Sequence, residues 1–136
     1  MTPPVVRSLY RLLLVLWAGS LWSLAAWVAP TLFYAQADRH LAGVLAARLF
    51  GIETYLGLAV AAITLLLPGR TRMGGLYAAA ALLAANEWLL KRFMESARLQ
   101  GAAAGLSFGA WHGVSALLYI VACLAVLLVI WKENFR

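Results

Sequence analysis

Leu99–Trp131, LQGAAAGLSFGAWHGVSALLYIVACLAVLLVIW, contains no Lys, Arg, Asp or Glu. The hydrocarbon core of a bilayer takes roughly 20 apolar residues per helical crossing, and this stretch exceeds that. Three earlier windows are equally free of such charges: Leu12–Ala37, Thr54–Gly69 and Met73–Asn86. In a chain of 136 residues they leave almost nothing over for a water-soluble domain. The pattern therefore predicts an all-α protein, an integral membrane four-helix bundle forming one transmembrane domain over residues 1–136. Its helices are expected at about 8–29, 39–67, 73–97 and 107–131.

Composition agrees with lipid as the solvent. Hydrophobic residues are 65% of the chain and charged residues 12%, roughly half the charged share of an ordinary soluble domain. The net charge of +6 is spread in small groups at the ends of the apolar windows. That distribution sets membrane topology and does not form a phosphate-binding patch, so nucleic acid is not an expected partner and membrane lipid is. Arg7 and Arg11 ahead of Leu12–Leu16 imitate the start of a secretory signal. The apolar run is longer than a signal core, however, so the first helix is expected to stay as an anchor.

Along the chain, Pro3 and Pro4 favour an extended entry, and Pro30 is expected to end the first helix near Val28. Asp38 suits a helix N-cap, and nothing from Arg39 to Leu67 breaks a helix. Pro68, Gly69, Arg70, Thr71 and Arg72 read as a tight hairpin, and Gly101 to Ser107 as a small flexible link. Four crossings put both termini on one side. The cytoplasmic side would then receive Arg7, Arg11, Arg70, Arg72, Lys132 and Arg136, and the other side Arg39, Arg48, Lys91, Arg92 and Arg98, a slight bias that places the termini in the cytoplasm and the protein in the cell inner membrane.

Ionisable residues inside a bilayer are costly and usually face a bundle interior or a water-filled cavity. Measured from the Pro68 hairpin at the helical rise, Glu53 and Glu87 both lie about 21 Å up. His112, counted from Lys132, lies about 30 Å up, within roughly two turns of that level. Arg48, Glu53, Asn86, Glu87 and His112 are thus candidates for one substrate-binding pocket near the outer surface, with Trp27 and Tyr55 nearby. Lys91, four residues after Glu87, offers that acid a simple helix ion pair. Glu53 has no such neighbour at three or four residues and needs a partner from another helix. His112 beside Trp111 also suits an interfacial packing role.

Gly101, Gly105, Gly109 and Gly113 recur every fourth residue. Packing within one bundle accounts for such a row, and a homo-oligomer through Gly105, Gly109 and Gly113 is the sharper alternative. His40, His112, Cys123 and three Met are scattered with no metal-ligand spacing, so no metal site is expected. No nucleophile motif, phosphate loop or CxxC appears either, which argues against an ordinary hydrolase or kinase and leaves catalytic residues unassigned.

Leu16–Phe33, LWAGSLWSLAAWVAPTLF, together with Ala42-Gly43, Asn86 and Ser107–Tyr119, SFGAWHGVSALLY, resembles the transmembrane protein 205-like family, a domain of unknown function. The resemblance covers essentially the whole chain and implies the four-helix architecture. That family is similar in turn to copper-resistance D and HemJ-type membrane proteins through the W-x-G pattern, here Trp17 to Gly19. In the HemJ-type pattern a haem-ligating histidine stands two turns before that tryptophan. Tyr10 occupies the matching position here, leaving His40 and His112 as the two available axial ligands. Three functional expectations follow. The first is a non-enzymatic bundle that binds or passes a small solute or ion, with no cofactor. The second is a haem- or copper-handling protein, an oxidoreductase in one form. The third is a non-catalytic subunit of a larger membrane assembly.

Overall fold

The structure, a computed structural model, describes residues 3–67 and 74–134; the hairpin expected at Pro68 to Arg72 lies outside them. Four helical rods account for nearly all of the described chain. The rod α1 runs Pro4–Ala35, α2 runs Arg39–Leu66, α3 runs over 74–100 and α4 runs Phe108–Asn134. Successive rods are antiparallel. Ser20 of α1 meets Glu53 of α2, Thr54 of α2 meets Leu83 of α3, and Asn86 of α3 meets Ser115 of α4. The circuit closes where Tyr119 of α4 bonds Leu21 of α1 and Arg11 bonds the Glu133 carbonyl.

Pro30 does not end the first helix. Lacking an N–H, proline cannot join the i to i−4 ladder, and the chain absorbs it by widening the preceding turn. Leu24–Val28 is a π turn, in which the Ala29 N–H reaches back to the Leu24 carbonyl, and regular helix resumes over Ala29–Ala35. A second π turn, Asn86–Leu90, lies in α3 between Gly74–Ala85 and Lys91–Gln100, with the Lys91 N–H bonded to the Asn86 carbonyl.

The rod ends are capped locally. Asp38 accepts from the His40 and Leu41 N–H groups at 2.8 and 3.2 Å, which fixes the start of α2. The link expected to be flexible is instead a closed turn. Ala103 and Leu106 exchange both backbone hydrogen bonds, and Ala104 and Gly105 take φ of 47° and 78°, the left-handed pair of a type I′ turn. The Trp111 indole donates to the Ala103 carbonyl at 2.9 Å, and Ser107 caps α4 through the Ala110 N–H. Gly101, at φ 85°, and Gly105 therefore belong to turns, and only Gly109 and Gly113 of the glycine row lie on α4.

The core is a column of Leu14, Leu21, Leu76, Leu83, Ala122 and Val126, all essentially sealed. Outward, Leu12, Leu16, Leu56, Ile63, Leu117, Ile120, Leu124 and Leu128 leave large apolar side chains exposed along the rods. Contiguous apolar surface on this scale marks contact with a membrane or another protein. Among the described residues α1, α2 and α4 are long and apolar enough to cross a bilayer. The third window differs from the expectation of four equal crossings. Asn86, Glu87, Lys91, Arg92, Glu95 and Arg98 make the C-terminal half of α3 polar, and its last ten residues form an amphipathic stretch of helix whose Phe93 stacks on Trp111 at 4.7 Å.

Candidate functional site

The seam between α1 and α2 is set by one small residue. Gly57 has no side chain, and the Trp17 indole fills the space: a Cβ built at Gly57 would stand 2.9 Å from Cε2 of that ring. Trp17 is itself buried. Glu53 lies one turn from Gly57 on the same face of α2, and Ser20 lies one turn from Trp17 on α1, so the close approach of the rods brings Ser20 and Glu53 together. The Ser20 hydroxyl donates to Glu53 Oε1. Glu53 is only 6% exposed, and its second oxygen, Oε2, has no hydrogen-bond partner among the described residues; the same is true of the Trp17 indole N–H.

Tyr119 of α4 lies near this acid, while Thr54, the next residue of α2, ties that rod to α3. The Thr54 hydroxyl donates to the Phe50 carbonyl of its own rod and reaches the Leu83 carbonyl of α3 at 3.4 Å. Tyr119, buried, donates to the Leu21 carbonyl at 2.8 Å, at the entry to the first π turn, and its ring meets Phe50 edge-on at 4.8 Å.

Glu87 is held elsewhere. Its carboxylate lies over Gly51, where a Cβ would come within 3.1 Å of Oε1, and it pairs with Lys91 at 2.5 Å. Lys91 Nζ also donates to the Ala47 carbonyl at 3.2 Å, tying α3 to α2. Gly51 and Glu53 are two residues apart, about 200° around the helix. The two acids at similar height therefore lie on opposite faces of α2: Glu53 points from α2 toward α1, and Glu87 of α3 packs onto the face that Gly51 opens.

Asn86 is occupied too. It donates to the Ser115 carbonyl at 3.2 Å and accepts from the Ser115 hydroxyl at 2.6 Å, a reciprocal pair that pins the π turn of α3 to α4. Arg48 is exposed, and so is His112, which stacks on Phe108 at 6.1 Å. Trp27 and Tyr55 are exposed as well, the latter edge-on to Trp88. The five residues expected in one pocket thus divide into a buried acid, two interhelical ties and two surface side chains. Equal height was readable from rise per residue; facing direction was not. Sequence reasoning missed Ser20, Trp17 and Gly57 as the surroundings of Glu53, although a glycine one turn from an intramembrane acid signals a close neighbouring rod. It also missed Ser115 as the partner of Asn86.

Among the described residues no three of His, Cys, Asp and Glu cluster as metal ligands. An apolar groove of about 370 Å³ lies beside the π turn of α1, lined by Trp27, Val28, Thr31, Leu32, Ala35 and Gln36, and is open to the outside.

Fold and seam together define an all-helical protein whose apolar rods are compatible with a membrane and enclose one acidic side chain. Residues 12–131 match the family described as a domain of unknown function (DUF4149), and the chain belongs to that family. No curated protein and no solved structure matches it.

Proposed function

We propose that this is a multi-pass protein of the cell inner membrane, with both termini in the cytoplasm, that binds or passes a small solute or ion at Glu53. One observation carries the reading: a carboxylate almost fully enclosed between apolar rods, with one oxygen held by Ser20 and the other open. Burying an ionised carboxylate without full compensation is expensive, and such residues in membrane segments mark ion or substrate paths. Among the described residues no catalytic constellation surrounds it, which favours binding over catalysis. Arg48, Asn86, Glu87 and His112 then serve the fold and its surface rather than the bound species.

Reconstituting wild type and Glu53→Gln into lipid vesicles and measuring flux over a panel of protons, alkali cations and small amines tests the reading. Flux that the wild type adds over empty vesicles, and that Glu53→Gln removes, is expected. A wild type indistinguishable from Glu53→Gln across the panel retires it.

The second reading, haem or copper handling, draws on the likeness to copper-resistance D and HemJ-type proteins. His40 and His112 lie at the same end of the bundle and are exposed, so ligation by them would take place at that end and not in the core. Purified protein without a Soret band and without copper by elemental analysis would dismiss it.

A further inference from the structure

The Trp17 N–H and Glu53 Oε2 are a donor and an acceptor, both buried more than nine-tenths, both without a partner among the described residues, on one seam and one helical turn apart. Buried polar atoms left unmade are costly, and a buried water needs 2 to 4 polar partners. Cε2, the ring atom bonded to Nε1, abuts Gly57. Gly57 stands about 6 Å along the axis from Glu53, so the indole and the carboxylate share one stretch of the seam.

We propose that Trp17 and Glu53 hold internal water between them and that the species bound at Glu53 is the proton. This rests on the reading of Glu53 as the binding site and names its ligand. Several features select a proton over a metal cation. Oε1 is already engaged by Ser20, leaving one oxygen. Glu87 is on the far face of α2 and committed to Lys91. A hard cation takes six or so oxygen ligands, whereas Trp17 offers an N–H, which repels a cation and donates to water. A water accepting from the indole takes up one proton from the medium and passes one to Oε2, so that the water stays neutral and the carboxylate becomes a neutral carboxyl group. The other titratable groups around this site are Tyr119 and Cys123 on α4, Tyr10 further down α1, and the Glu87–Lys91 pair of α3 on the opposite face of α2.

Infrared spectroscopy of the protein in phosphatidylcholine vesicles, titrated with acid and base, tests this. A carboxylic-acid carbonyl band that grows with acid, shifts in D2O and is lost in Glu53→Gln is expected. Trp17→Phe, which removes the indole N–H and leaves a smaller aromatic ring in its place, is expected to shift that band. A band in Trp17→Phe identical to wild type overturns the water link, and a band in wild type that ignores D2O overturns it independently of any variant. A Glu53 band absent at every pH overturns proton binding. Flux of another ion that depends on Glu53 would then leave the underlying reading standing.

Discussion

The Trp17 indole occupies the space that a side chain at Gly57 would fill, and this one contact sets how near α1 comes to α2. Everything on that seam, including the bond from Ser20 to Glu53, depends on the approach. Gly57→Ala is therefore expected to push the rods apart and cost about 1–3 kcal/mol, the usual range for overpacking. Gly19→Ala and Gly43→Ala, where an added Cβ meets nothing within 4 Å, are expected to be neutral or to gain up to about 1 kcal/mol from helix propensity. Unfolding in mixed micelles by denaturing detergent measures the contrast.

Removing the hydroxyl at position 20 takes the hydrogen-bond partner from Glu53 Oε1. Ser20→Ala is expected to cost about 1–3 kcal/mol, the penalty for an unsatisfied buried polar group. In the Ser20→Ala, Glu53→Leu double variant much of that loss is recovered, because both partners become apolar. Equal stability of the single and the double variant would contradict the pairing.

The Asn86–Ser115 pair supplies two interhelical hydrogen bonds, worth on average about 0.6 kcal/mol each in a membrane protein. Asn86→Ala, which removes both, is expected to lose about 1 kcal/mol, and Ser115→Ala, which removes only the hydroxyl bond, about half that, with the double variant little worse than Asn86→Ala alone. A double-mutant cycle reads the coupling directly.

For Glu87 and Lys91, with side chains 16% and 35% exposed, the coupling is expected to exceed the roughly 0.3–0.5 kcal/mol of an exposed i,i+4 pair. Lys91→Met should cost more than Glu87→Gln, since it also frees the Ala47 carbonyl. The reverse order would show that the tie between α2 and α3 carries no weight.

Orientation is open to chemical labelling. In a Cys123→Ser background, single cysteines at Arg7 and Lys132 are expected to react with an impermeant maleimide from one face of a sealed membrane. Cysteines at Arg39 and Gln100 should react from the other. Mixed accessibility within either pair would contradict the antiparallel circuit.

The rods were legible in the sequence because apolar length is additive along the chain: windows such as Leu99–Trp131 declare themselves without any tertiary contact. Asp38 was legible for the same reason, since a cap acts within three residues. Pro30 misled because proline has two outcomes in a helix, a stop or a widened turn, and packing against neighbouring rods decides between them. The link before α4 misled in the opposite sense, since small residues there close a turn that Trp111 fastens from eight residues away. At the site, height followed from counting, so Glu53 and Glu87 were placed at one level. Which side chain each face of α2 receives depends on where its glycines lie: Gly57 admits Trp17 of α1 and Gly51 admits Glu87 of α3. That pairing exists only once the rods are assembled.

The two π turns carry a further consequence. Tyr119 bonds Leu21, and one turn earlier on the same rod Ser115 bonds Asn86, so Leu24–Val28 and Asn86–Leu90 fall at nearly the same level in the two rods that run in the same direction. Each π turn carries one residue more than the α repeat needs and so advances everything beyond it by about 100°, while α2 and α4 pass that depth without interruption. The stretches of α1 and α3 before and after that depth are thus clocked out of phase with each other. The joint between them lies one turn from Ser20, so a twist of either stretch would be felt first at the enclosed acid.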